Sequence, residues 1–69
     1  PGTDPTTLFT LVRAGFGQRR KMLRRSLSGI VAPGTYEAAG ISPTARPEEL
    51  DVEAWCRLTD AHLAAGSTT

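Results

Sequence analysis

Leu8, Phe9, Val12, Phe16, Leu23 and Leu27 keep one helical phase through the first half of the chain. On a wheel of about 100° per residue, Leu23, Leu27 and Ile30 all fall within about 40° of Phe16. That spacing commits this half to helices that bury one narrow edge. No segment alternates apolar and polar residues with period two, prolines fall in the connections and glycines at the stops. The pattern predicts an all-α fold, a small orthogonal bundle of four to five short helices.

The order of elements follows from local signals. Residues 1–5 read as linker. Thr6 or Thr7 is placed to cap a helix through Leu8–Ala14. Gly15 and Gly17 each cost about 1 kcal/mol in a helix interior, so a break or sharp kink is expected there. A second helix then runs from about Gln18 to Gly29. Pro33 suits a first helical turn, Tyr36–Ala39 continues it, and Gly40 stops it. Ile41 is expected to enter the core after that stop. The segment 42–47 is a loop, and Pro47–Leu50 can form one turn. Asp51 caps a last helix, Val52 to about Ala65, with Val52, Trp55, Cys56, Leu58, Thr59 and Leu63 as its apolar set. The domain thus spans residues 6–65, and 66–69 read as a frayed, disordered tail.

Charge separates the two halves. Residues 5–36 carry six Lys/Arg and no acid, whereas residues 37–69 carry six acids and two arginines. The net charge of +1 conceals a basic first half. Five of the eight cations lie in Phe16–Leu27. On the same helical wheel Arg20, Lys21, Arg24 and Arg25 form an arc between about 40° and 180° from Phe16, Arg13 joins it, and Arg19 lies on the other flank. A basic run is commonly only a solvated face. Here no Asp or Glu lies between Asp4 and Glu37, so the cations lack helical i,i+4 partners. Arginine also outnumbers lysine in the run, and its planar fork suits phosphate and base edges. The arc therefore points to a polyanion.

Other chemistry has little support. Cys56 is the single cysteine, which excludes an internal disulfide and a cysteine cage for metal, and it fits a reducing, cytoplasmic setting. As a nucleophile it lacks a base placed by sequence. His62 has no evident co-ligands, so no metal site is expected. Glu48, Glu49, Asp51 and Glu53 cluster where a helix begins, which capping and the dipole explain. Phe9, Phe16 and Trp55 sit on apolar faces and read as core; Tyr36 is left open between core and base stacking. Arg46 and Arg57 lie among acids and are expected to pair with them. No apolar run approaches the length of a membrane span. The chain begins at Pro1 without an initiator Met, as an excised domain or the end of a longer protein would.

Specific residues carry a family likeness. Leu8-Phe-x-x-Leu-Val-Arg-Ala-x-Phe-x-Gln-Arg-Arg-Lys-x-Leu23, then Ala39-Gly-Ile-x-Pro-x-x-Arg46-x-Glu-Glu-Leu50 and Trp55-x-x-Leu58, resembles the C-terminal domain of the KsgA-type 16S rRNA adenine dimethyltransferases. The likeness covers about residues 5–64. It implies a parent enzyme whose separate N-terminal domain binds S-adenosylmethionine and dimethylates two adjacent adenines of small-subunit rRNA. This helical domain would dock that enzyme on the small ribosomal subunit, with 16S rRNA and its own N-terminal domain as partners. By the same resemblance Arg19, Arg20 and Lys21 are rRNA contacts; the arc adds Arg24, Arg25 and Arg13. Gly17, Arg25 and Trp55 depart from the family's commoner small polar residue, Asn and Phe. The cofactor-binding glycine turn and the motif for the target adenine are absent from the sequence, so no catalytic residue, cofactor or activity is expected of this fragment alone. Two other readings stand beside it: a protein-interaction module whose basic arc packs on its own N-terminal domain, and a helix-turn-helix-like DNA binder.

Overall fold

The computed structural model describes residues 3–66. Four α-helices pack together: α1 (Pro5–Gly17), α2 (Leu23–Ser26), α3 (Pro33–Ala39) and α4 (Val52–Gly66). A 3-10 turn, Pro47–Glu49, precedes α4, and no strand occurs among the described residues. The all-α bundle is therefore as expected from the apolar spacing. Of the tail read at 66–69, Gly66 closes α4 and the rest lies outside the described residues, as do Pro1 and Gly2 of the linker.

The first helix starts earlier than its threonines imply. Asp4, not Thr6 or Thr7, is the cap: its carboxylate accepts from the Thr7 hydroxyl at 2.6 Å and the Thr7 amide at 3.2 Å. Pro5 follows at the first helical position, where its missing N–H costs nothing and its fixed φ suits the helix. The Thr7 hydroxyl, then the Thr7 amide, hold the Asp4 carboxyl below its ordinary pKa.

The expected break falls at the far end of the Gly15–Gly17 window. α1 runs through Gly15 and leaves helical geometry only at Gln18 (φ −135°, ψ 53°). Gly15 is a packing residue: a Cβ there would lie 2.9 Å from Trp55 Cη2. Close approach of α1 to the indole offsets the propensity cost that suggested a break.

The second helix is shorter than the predicted Gln18–Gly29. Met22 adopts an extended conformation (ψ 151°), and α2 spans only Leu23–Ser26. Tertiary backbone hydrogen bonds compete with the helical ladder here. The Leu23 N–H donates to the Ala45 carbonyl at 2.8 Å, and the Arg24 N–H to the Pro43 carbonyl at 3.2 Å. The loop 42–46 thereby takes the amides that a longer helix would have used. Leu23 and Leu27 still reach the centre of the core, both fully buried.

The second half follows its local signals closely. Pro33 opens α3, and Gly40 closes it at φ 71°, a conformation costly for residues with a Cβ. The Ile41 amide then donates back to the Tyr36 carbonyl at 2.8 Å, and Ile41 is buried. The Arg46 amide donates to the Glu49 carboxylate at 3.0 Å, which fixes the 3-10 turn. Asp51 caps α4 by accepting from the Ala54 amide at 2.8 Å. Trp55, Leu58 and Thr59 face the core; Val52 (77% exposed) and Leu63 (38%) do not, contrary to the apolar set read for this helix. Phe9, expected in the core, is 64% exposed, and Phe16 is 44% exposed against Trp55, with ring centroids 6.0 Å apart.

Tyr36 belongs to the core. Its side chain is buried, and its hydroxyl donates to the Leu23 carbonyl at 3.1 Å, joining α3 to α2. That carbonyl also accepts from the Leu27 amide, so Tyr36→Phe orphans no acceptor and should cost only about 1 kcal/mol. Burial raises the Tyr36 pKa above its ordinary value. The unfolded chain loses this proton near pH 10 (about the free tyrosine value) while the folded chain keeps it. Stability from this group is therefore complete below pH of about 10 and falls as pH rises through the folded pKa. Urea titrations at pH 8 to 11 should show wild-type stability declining more steeply than that of Tyr36→Phe, on these grounds.

Candidate nucleic-acid interface

The cations do not share one helix face. The wheel that joined Arg20, Lys21, Arg24 and Arg25 assumed a continuous helix, and the chain turns at Gln18 instead. The Lys21 amide donates to the Gln18 carbonyl at 2.9 Å, closing a turn in which Arg19 and Arg20 are the two central residues. All three basic side chains are exposed, and with Phe16, Gly17 and Gln18 they line one shallow concave surface. Arg19 is thus brought beside Arg20 and Lys21, where the helical wheel had separated it.

Arg24 and Arg25 stand on the exposed side of α2, between the buried Leu23 and the buried Ser26 and Leu27. The α2 backbone is held from three sides: by the Ala45 and Pro43 carbonyls and by the Tyr36 hydroxyl. Those contacts position its two arginines, and the sequence offered no signal for them. Arg13 is set apart on α1, in a shallow depression with Thr6, Phe9 and Thr10. Its place is beside an exposed aromatic ring, not in the turn.

Among the described residues none of these six cations has an acidic group within 4 Å. Among the described residues the ion pair within 4 Å is Arg57–Glu53, at 3.5 Å. Arg57 also donates from Nε to the Ala39 carbonyl at 3.2 Å. The expected pairing of Arg57 is present. Arg46 forms no such pair among the described residues; it is its backbone amide that meets Glu49. Unpaired, solvated cations keep their field directed outward, where it draws anions to the surface.

His62 and Cys56 do not line this concave surface. His62 is half-buried on α4, and Cys56 is a half-buried free thiol one position after Trp55. Among the described residues no three His, Cys, Asp or Glu side chains converge as metal ligands would. No helix there is long and apolar enough to cross a membrane.

No family model matches the chain. Individual proteins do. A 61-residue stretch, 88% of the chain, is 54% identical to ribosomal RNA small subunit methyltransferase A of Xanthomonas campestris pv. campestris. The same enzyme name belongs to matches in Sphingopyxis alaskensis, 53% identical over 62 residues, and Pseudomonas aeruginosa, 45% identical over 60 residues. The chain is homologous to a part of ribosomal RNA small subunit methyltransferase A. It spans only about a quarter of the length of these relatives, 23%, 23% and 22% respectively. Their shared name describes methyl transfer to small-subunit ribosomal RNA. The likeness drawn from the Leu8–Leu23, Ala39–Leu50 and Trp55–Leu58 segments, about residues 5–64, is thus matched by relatives over 88% of the chain.

Proposed function

We propose that this domain docks a ribosomal RNA small subunit methyltransferase A on 16S rRNA of the small subunit, as the C-terminal part of that enzyme. The observation that carries the reading is the turn Gln18–Lys21 with its neighbour α2: five exposed cations, Arg19, Arg20, Lys21, Arg24 and Arg25, without an acidic partner among the described residues. Each guanidinium can grip a phosphate through two parallel N–H donors. Contacts of this kind position a protein on RNA by the shape of its backbone and carry little sequence information. Dimethylation of adenine, with S-adenosylmethionine as methyl donor, falls to the larger portion of the enzyme outside this chain. The domain's contribution is to hold that portion at its target, in the cytoplasm where the subunit is assembled.

A helix-turn-helix reader of DNA needs a second helix long enough to lie in the major groove. With four residues, α2 does not supply one. Packing of the basic surface on the enzyme's own catalytic portion would instead bury its arginines without RNA, and that difference can be measured. Phenylglyoxal modification of the full-length protein, read by peptide mass spectrometry with and without small-subunit rRNA, should show RNA protecting Arg19, Arg20, Arg24 and Arg25. Arg46 and Arg57, outside the basic segment, serve as internal controls. Protection of the first group before RNA is added would favour the packing reading.

A further inference from the structure

Most side chains of the concavity at the end of α1 carry no information about a base. Phe16 and Gly17 offer no polar side chain, and Arg19, Arg20 and Lys21 offer donors alone. Gln18 is the exception. Its side-chain amide sets an acceptor oxygen beside two N–H donors. Gln18 is exposed, and that amide has no hydrogen-bond partner among the described residues. Its backbone is engaged on both sides. The N–H donates to the Gly15 carbonyl at 3.2 Å, and the carbonyl accepts from the Lys21 amide at 2.9 Å. The main chain thus fixes the residue and leaves its side chain free for a ligand. A Cβ at Gly17 would meet nothing within 4 Å, so the space beside Gln18 is open.

The chemistry selects the ligand. A phosphate accepts hydrogen bonds, which the three neighbouring cations supply, and it has no use for the amide oxygen. A base edge that sets a donor next to an acceptor matches a glutamine amide through two parallel hydrogen bonds. Adenine presents such a pair on both of its edges, N6–H with N7 and N6–H with N1; every other base presents it on one edge only. In an RNA duplex the N7 edge lies in a groove too deep and narrow for side chains, and the N1 edge is taken by the complementary base. The ligand that fits is therefore an unpaired adenine, in a loop or bulge, and not a paired stem.

We propose that Gln18 reads one unpaired adenine of the docked RNA, while Arg19, Arg20 and Lys21 hold phosphates of the strand that carries it. The inference rests on the rRNA-docking reading and adds base selection to contacts that otherwise follow only the shape of the backbone. The turn closed between Gln18 and Lys21 puts the base-reading amide at one end and two arginines at its centre. One nucleotide and its neighbours are thereby met together.

Gln18→Met in the full-length protein tests this. Methionine has nearly the length of glutamine, lacks both hydrogen-bonding functions, and leaves the backbone contacts with Gly15 and Lys21 in place. Affinity for small-subunit rRNA should fall about tenfold, near the lower end of what one bidentate base contact discriminates. The slope of log affinity against log salt should stay the same, because no phosphate contact is removed. Chemical probing of the bound rRNA then locates the base, with dimethyl sulfate reporting adenine N1 and diethyl pyrocarbonate reporting N7. At saturating protein one adenine should be protected at N1 or N7 by the wild type and reactive with the variant, while the hydroxyl-radical footprint on the RNA backbone is unaltered. Three results would overturn the proposal: every protected adenine staying protected with the variant, the change falling on another base, or the backbone footprint changing too, which would mean that Gln18 only shapes the turn. A backbone footprint that survives alanine at Arg19, Arg20 and Lys21 would sink the docking reading and this inference with it. A footprint that depends on those three residues, with no adenine tracking Gln18, would sink this inference alone.

Discussion

Replacing Arg19, Arg20 and Lys21 together by alanine should lower the affinity of the full-length protein for small-subunit rRNA by about a hundredfold, while leaving its thermal midpoint almost unchanged. The affinity loss follows from about three phosphate contacts at about 1 kcal/mol each, which convert to roughly that factor. The unchanged stability follows from the geometry. The three side chains are exposed and make no ion pair among the described residues. Exposed substitutions of this sort shift stability by no more than about 0.5 kcal/mol. The turn itself is held by the Lys21 amide and the Gln18 carbonyl, which alanine retains. Filter binding or sedimentation with purified subunits gives the affinity, and calorimetry gives the midpoint. Loss of both together would mean that these residues hold the fold instead of a partner.

The second large effect is structural and concerns the contact between Gly15 and Trp55. Trp55→Ala removes a 95% buried indole, by its 5% exposure, from between α1 and α4. Large-to-small changes of this kind cost about 3–5 kcal/mol, and a core of this size supplies only about 3–5 kcal/mol net. The variant domain should therefore be largely unfolded at 25 °C by circular dichroism. Gly15→Ala makes the sharper test. Propensity alone favours alanine in a helix by about 1 kcal/mol. The added methyl, however, would sit 2.9 Å from Trp55 Cη2 and 3.5 Å from Leu23 Cδ2. Overpacking costs about 1–3 kcal/mol, so the net change should be destabilising, and about 1 kcal/mol is worth roughly 4–8 °C in a domain of this length. Trp55→Phe removes the atom that clashes. Combined with Gly15→Ala it should recover part of the loss, giving a non-additive double-mutant cycle. Additivity would show that the indole and the glycine do not oppose each other.

The contrast between these two sites explains what could be read from the sequence. Where a signal acts within a few residues, it was sufficient except at the start of α1, where Asp4 and not a threonine is the cap. Pro33 and Gly40 bound α3, Asp51 caps α4 through Ala54, and Ile41 folds inward after the glycine stop. Where a distant residue competes, local reasoning failed. The amides of Leu23 and Arg24 are taken by carbonyls of Ala45 and Pro43, some twenty positions along the chain, and α2 is short for that reason. Gly15 looked like a helix breaker because its partner, Trp55, lies forty residues away. Phe9 and Val52 were assigned to the core by their spacing, since periodicity identifies an apolar face but not whether this domain or another surface covers it. The residues proposed as rRNA contacts suffered less. Arg19, Arg20 and Lys21 were legible as a group from their run and from the family motif. Their arrangement on a turn, and the separation of Arg13 from them, depended on where α1 ends.

The salt dependence of binding tests the central claim most directly. With about four phosphate contacts made by the cations of the turn and α2, log affinity of the full-length protein for small-subunit rRNA should fall with log salt at a slope of about −3 to −4. The Arg19, Arg20, Lys21 triple-alanine variant should lose about two to three units of that slope. A slope that is the same in the wild type and the variant would mean that the phosphates are held elsewhere, and the unpaired basic turn would not be the docking surface.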